Sequence, residues 1–121
     1  MNAAPNLAQP SNMTVTEGAT ANQAISATDP DGNPVTFSKT SGPTFEAVTT
    51  TSPGTGTATG NIALTPGFSD SGTYSSTVTA TDNGSPPLSN SRSFTITVIN
   101  QNRAPTLNAI ANMSVAQGAT A

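Results

Sequence analysis

Apolar and polar residues alternate along most of this chain with a period of two. In residues 73–81, Tyr74, Ser76, Val78 and Ala80 alternate with Thr77 and Thr79, and in 91–99 Phe94, Ile96 and Val98 alternate with Thr95 and Thr97. Successive side chains of a strand point to opposite faces, so the pattern predicts half-buried strands with Thr outward. The same reading gives strands over 12–16 (Met13, Val15), 21–28 (Ile25), 34–39 (Val35, Phe37), 44–49 (Phe45) and 57–65 (Ile62, Leu64). No stretch shows a helical period of 3.6. Between the strands lie Asp-Gly, Ser-Gly-Pro, Pro-Gly and Asn-Gly-Ser-Pro-Pro, residues that preset or free φ as turns require. Residues 50–60, TTSPGTGTATG, have low complexity and are compatible with a loop or a weak edge. Seven strands and no helix predict an all-β fold.

The strand pattern starts over near its end. Residues 2–21, NAAPNLAQPSNMTVTEGATA, match residues 102–121, NRAPTLNAIANMSVAQGATA, at 11 of 20 positions without a gap. The offset of 100 residues is the size of an immunoglobulin-like sandwich and too long for a solenoid repeat. We therefore expect one complete module in residues 1–103 and the first strand of a second in 104–121. That orphan strand, 106–116, is expected to be a mobile tail in solution, prone to head-to-tail pairing with a neighbouring molecule. Met1 followed directly by polar sequence reads as a start residue added to an excised segment.

Composition sharpens this picture. Charged residues are 7% and aromatic residues 4% of the chain, while Thr and Ser number 22 and 14. The surface is thus hydroxyl and amide, and the core is thin. Three cations, Lys39, Arg92 and Arg103, leave a net charge of −3 and no basic patch for nucleic acid. No apolar run is long enough for a transmembrane helix. His and Cys are absent, which removes the common nucleophiles, bases and zinc ligands, and a thin sandwich offers no cleft for paired carboxylates. An enzyme is not expected. Sequons at Asn12, Asn83 and Asn112 arise easily in such a composition and carry little weight.

ATDPDGNPVTFS (27–38), followed by GTYSSTVTATDNGSPPLSNSRSFTITVINQNRAP (72–105), resembles the cadherin repeat, in particular the cadherin-like, immunoglobulin-like modules of large bacterial surface proteins. The resemblance implies a Greek-key, seven-stranded immunoglobulin-like β-sandwich. It implies an elongated extracellular array with calcium at the junctions between repeats. Glu17, Asp29, Asp31 and Asp82 stand at that family's acidic ligand positions. Two of its acidic motifs are changed: FSDSGTY leaves Asp70 as the one replacement, and the linker keeps only the amides Asn100 and Asn102. The metal-ligating set implied by the resemblance is therefore Asp29, Asp31, Asp82, Glu17, Asp70, Asn100 and Asn102.

Read from the residues alone, each of these positions has two readings. Residues 29–33, DPDGN, make a turn through Asx and Gly chemistry, or they hold a hard cation, which takes six to eight oxygens. An EF-hand is excluded, because Pro34 stands where that loop needs Gly and Thr40 where it needs Glu. Asp82-Asn83-Gly84 is also a hairpin signal, Glu17-Gly18 a solvated loop acid, and Asp70, Asn100 and Asn102 ordinary loop and linker residues. The family arrangement puts Asp29, Asp31 and Asp82 at the end facing the preceding repeat and the other four at the opposite end. One module then owns two half-sites, and calcium affinity of the isolated chain is expected no tighter than roughly 10⁻⁴ to 10⁻³ M.

The functional expectation is a spacer or adhesion module of a repetitive bacterial surface protein, with neighbouring repeats as its partners. The alternative is a polysaccharide- or protein-binding module. Sugar platforms need exposed aromatic rings, so that alternative requires Phe45 or Phe68 at the surface.

Overall fold

The computed structural model describes residues 2–102, all strands and loops. The orphan segment 104–121 lies outside the described residues. Eight strands follow one another: β1 (Asn6–Leu7), β2 (Met13–Thr16), β3 (Ala21–Thr28), β4 (Val35–Ser41), β5 (Glu46–Ser52), β6 (Thr57–Leu64), β7 (Gly72–Asp82) and β8 (Ser89–Ile99). They form two four-stranded sheets, β1-β3-β6-β5 and β2-β8-β7-β4. Each ladder is antiparallel except β2 on β8, where Met13 faces Ile96 and Thr16 faces Ile99 in parallel register. This is the immunoglobulin-like sandwich expected from the sequence, with eight strands in place of seven.

The extra strand is β1. Its two residues pair with the end of β3, Asn6 with Thr28 and Leu7 with Ala27. The chain then crosses to the other sheet as β2, so the first strand of the fold is shared between both sheets. Two residues between Pro5 and Pro10 carry no period to read. Leu7 nevertheless is completely buried. β5 also begins later than its predicted start at 44, because Glu46 N–H closes a turn on the Pro43 carbonyl at 3.1 Å and holds Phe45 in that turn. Residues 50–60 divide into the end of β5, a short turn and the start of β6.

Alternation works as expected in the core. Ile25, Val35, Phe37, Ile62, Leu64, Val78, Ala80, Phe94, Ile96 and Val98 face inward from both sheets, with Leu7, Met13 and Val15 closing one side. Burying a side chain of the Val, Leu or Ile class contributes about 1.5–3 kcal/mol. Small residues keep the sheets close. A β-carbon on Gly60 would lie 2.6 Å from the Thr49 carbonyl oxygen and 2.7 Å from the Phe37 ring, so glycine is needed there. Outward hydroxyls bond across strands, Thr77 with Ser93 and Thr79 with Ser91, each at 2.8 Å. These cross-strand pairs occupy positions that a more charged protein gives to ion pairs.

Candidate functional sites at the two ends of the sandwich

The strand register sorts the loops into two ends. Residues 2–5, 29–34, 53–56 and 83–88 gather at the leading end, where the chain begins. Residues 17–20, 42–45, 65–71 and 99–102 gather at the trailing end, where β8 stops. The carboxylates divide as expected: Asp29, Asp31 and Asp82 lie at the leading end, Glu17 and Asp70 at the trailing end.

At the leading end Asp29 and Asp82 are buried, at 5% and 3% exposure. Asp29 Oδ1 accepts the N–H groups of Asp31 (2.8 Å) and Asn33 (3.3 Å), and its backbone carbonyl accepts Gly32 N–H. The stretch DPDGN is thus a turn built around one aspartate. Its other oxygen, Oδ2, is buried and has no hydrogen-bond partner. Asp82 Oδ1 accepts the N–H groups of Gly84 (3.1 Å) and Leu88 (2.9 Å). Bonds to the charged form favour it. The Leu88 N–H foremost holds the Asp82 carboxyl below the usual aspartate range; burial opposes this, and Asn2, the Gly84 N–H and Asp29 add to it. The Asn2 side chain spans the site. Its Nδ2 donates to both Asp82 oxygens (3.1 and 3.2 Å) and to the Pro86 carbonyl (2.8 Å), while its Oδ1 accepts from Asn33 Nδ2 at 3.0 Å. Asp31 Oδ2 accepts Ala3 N–H at 2.6 Å. The leading segment is therefore fastened to the sandwich by two acids, Asp82 and Asp31, and by the amides of Asn2 and Asn33.

The trailing end is arranged differently. Glu17 is buried at 4% exposure, and both of its oxygens bond backbone: Oε2 accepts Ser71 N–H at 3.0 Å and Oε1 accepts Gln101 N–H at 2.9 Å. One carboxylate thus joins the end of β2, the 66–71 loop and the segment leaving β8. Asp70 folds back on its own loop, where its Oδ2 accepts Gly67 N–H at 2.7 Å, and its carbonyl accepts the Tyr74 hydroxyl at 2.7 Å. Asn100 and Asn102 are exposed. A third acid of this end, Glu46, stood outside every sequence motif. It is buried at 3% exposure, with Ser76 Oγ donating to Oε2 at 2.6 Å and Oε1 unpartnered. Burial pushes its carboxyl above the ordinary 4.5, against the Ser76 bond and the Lys39 ammonium, which lower it. No period or motif could mark Glu46, because its depth follows from where the turn before β5 ends.

A calcium ion fits these two ends unequally. The orphaned Asp29 oxygen beside Asp82 is a donor set short of a partner, which is what a hard cation would complete. The oxygens of Glu17 and the Oδ2 of Asp70 already serve N–H groups. Among the described residues no group of three or more acids is drawn together closely enough to hold a metal by itself. At the leading end the Asp29 oxygen is left open beside Asp82, and at the trailing end Glu17 is a backbone staple.

The aromatic residues also separate. Phe45 is half-buried and meets Tyr74 edge-on, with ring centroids 5.0 Å apart. Phe68 is exposed.

No family model matches the chain, and no curated protein matches it in sequence. Solved structures match it in fold. The endo-fucoidan hydrolase MfFcnA4 from glycoside hydrolase family 107 is similar over 82% of this chain and 14% of its own, with a TM-score of 0.66 and 25% identity. The GspB Siglec domain is similar over 87% of this chain and 62% of its own, with a TM-score of 0.68 and 16% identity. Repeats 22–24 of mouse cadherin-23 are similar over 82% of this chain and 33% of their own, with a TM-score of 0.59 and 25% identity. The chain thus spans a small part of the hydrolase and one third of the cadherin fragment. The fold is a cadherin-like, immunoglobulin-like β-sandwich.

Proposed function

We propose that this chain is a spacer module of a tandem extracellular array on a bacterial surface protein, one link of a stalk that holds an adhesive element away from the cell. The observation that carries the reading is the fastening of the two linkers at opposite ends of one sandwich, Asn2 on Asp82 and Gln101 on Glu17. A module held this way passes its orientation from one linker to the other, as a rigid link must. The repeat of residues 2–21 at 102–121 supports more than one such link. The hydroxyl-rich faces, with few charges, suit a long solvated rod. No helix among the described residues is long and apolar enough to cross a membrane. The module performs no chemistry of its own.

Calcium enters this proposal at the leading end. Asp29 would hold it through its open oxygen, beside Asp82, with further oxygens from the preceding repeat. It would supply positive charge that holds the carboxylates of two modules together.

Chains of one, two and three copies of residues 2–101 test the spacer reading by small-angle X-ray scattering. The 11-residue strands make each copy about 35 Å long. The maximum dimension is expected to grow by a constant increment of that order. Two- and three-copy chains that collapse into compact particles would remove the reading.

A second reading, a polysaccharide-binding module, draws on the exposed Phe68 and on the likeness to a domain-sized part of fucoidan hydrolases. Retention of the single chain on immobilised fucoidan, lost in Phe68→Ser, would favour it.

A further inference from the structure

Phe68 is 48% exposed and Ile99 is 50% exposed, and both lie at the trailing end. The Phe68 ring lies against Gly18. A β-carbon at Gly18 would stand 2.5 Å from the ring Cζ, and φ of +77° makes glycine the residue of choice there. The loop that carries the ring is tied at every turn. Gly18 N–H donates to the Pro66 carbonyl at 2.9 Å, Asp70 bonds Gly67, and Ser71 N–H reaches Glu17. The ring is therefore held on a fixed support and stands at the surface. This is the arrangement of a preformed contact, which loses little conformational freedom when it is covered.

What covers it follows from the chain itself. Glu17 fixes Gln101 beside this loop. The next repeat begins at Asn102, and its counterpart of Asn6 is residue 106. Five residues from Gln101 reach at most about 18 Å. The leading end of a following module is therefore tethered to the same end of the sandwich as Phe68. As this structure displays it, a leading end presents the exposed Pro30, Pro86 and Pro87, apolar rings suited to an aromatic face. The internal repeat adds an independent argument. Gly18 recurs as Gly118, whereas Glu17 becomes Gln117. The glycine is thus kept in the sequence from one repeat to the next, and the carboxylate beside it is not.

We propose that Phe68, seated on Gly18, is the docking platform for the leading end of the following repeat, so that successive modules are locked by an apolar contact. The proposal rests on the tandem-array reading and names the surface that makes the array stiff. The core residues of the described part, Leu7 to Val98, all lie within residues 2–101, so a tandem of residues 2–101 followed by a second copy of 2–121 is the molecule to study. Its ¹⁵N relaxation, recorded in EDTA, is expected to show both modules tumbling as one body. Phe68→Ser in the first copy should release them to tumble separately, and Phe68→Ser in the second copy should change nothing. The second substitution carries any purely local effect on folding. Common tumbling that survives Phe68→Ser in the first copy would overturn the platform while leaving the spacer reading in place. Equal loosening by both substitutions would overturn it as well. Fucoidan retention lost in Phe68→Ser, with tumbling unchanged, would reassign the ring to a sugar. A collapsed particle in scattering would instead remove the array reading beneath the proposal.

Discussion

The leading and trailing ends of this sandwich each hold three of the chain's six acids, and Asp29 at one end and Glu17 at the other are put to opposite uses. At the trailing end each Glu17 oxygen accepts a backbone N–H, one from the 66–71 loop and one from the segment leaving β8. At the leading end Asp29 keeps an oxygen buried and without a partner beside a second buried carboxylate. A carboxylate engaged on both sides by N–H groups is a structural staple. One with a buried oxygen left over lacks a partner that a cation or an amide would supply. Acidic spacing in the sequence does not distinguish the two cases.

The largest break in this comparison is expected from Glu17→Ala. It leaves two N–H groups without their acceptor and should lower stability by about 2–4 kcal/mol in denaturant titration, to the same extent with calcium or EDTA. A calcium-dependent loss would return Glu17 to the role of a ligand. Gly18→Ala follows, at about 1–3 kcal/mol, because its φ and the Phe68 ring both resist a β-carbon. At the other end Asp29→Asn should act in the reverse direction. An asparagine keeps the acceptor for Asp31 and Asn33 and turns an N–H₂ toward Asp82, so the metal-free chain should gain about 1 kcal/mol. Any rise in melting temperature with millimolar calcium should vanish in that variant. A destabilised Asp29→Asn would mean that Oδ2 has a use the comparison does not grant it.

The smallest effects are in pH. Asp82 has a lowered folded-state pKa, so its contribution is present above the ordinary aspartate value and is lost as pH falls through the lowered one. Glu46 has a raised folded-state pKa, so its contribution is full below 4.5 and is lost as pH rises through the raised value. Glu46→Gln should therefore flatten the decline on the upper side, and Asp82→Asn the decline on the acid side, each read from the denaturation midpoint against pH. An unchanged upper slope in Glu46→Gln would assign that decline to another group.

Much of this was legible without coordinates. Period-two alternation placed Met13, Val15, Ile25, Val35, Phe37, Ile62, Leu64, Val78, Phe94, Ile96 and Val98 inside, because a strand with one wet face leaves no other choice. The division of Asp29, Asp31 and Asp82 from Glu17 and Asp70 followed from the resemblance to cadherin repeats. What each acid does there did not follow from it. A two-residue strand such as β1 has no period, and its existence depends on the β3 edge it meets. The turn that ends at Glu46 moved that acid inward by one residue, and a one-residue shift reverses the face of a side chain.

Local pattern, then, determined the strands, the turns and the all-β class of this protein, since backbone geometry and the apolar period act over a few residues. Only the tertiary structure decided which carboxylates are satisfied, which oxygens are left alone, and which aromatic ring stands exposed at the trailing end. Those outcomes depend on N–H groups and glycines brought from distant parts of the chain. Ser71 and Gln101 meet at Glu17, and Gly18 meets Phe68, only once the two sheets have closed.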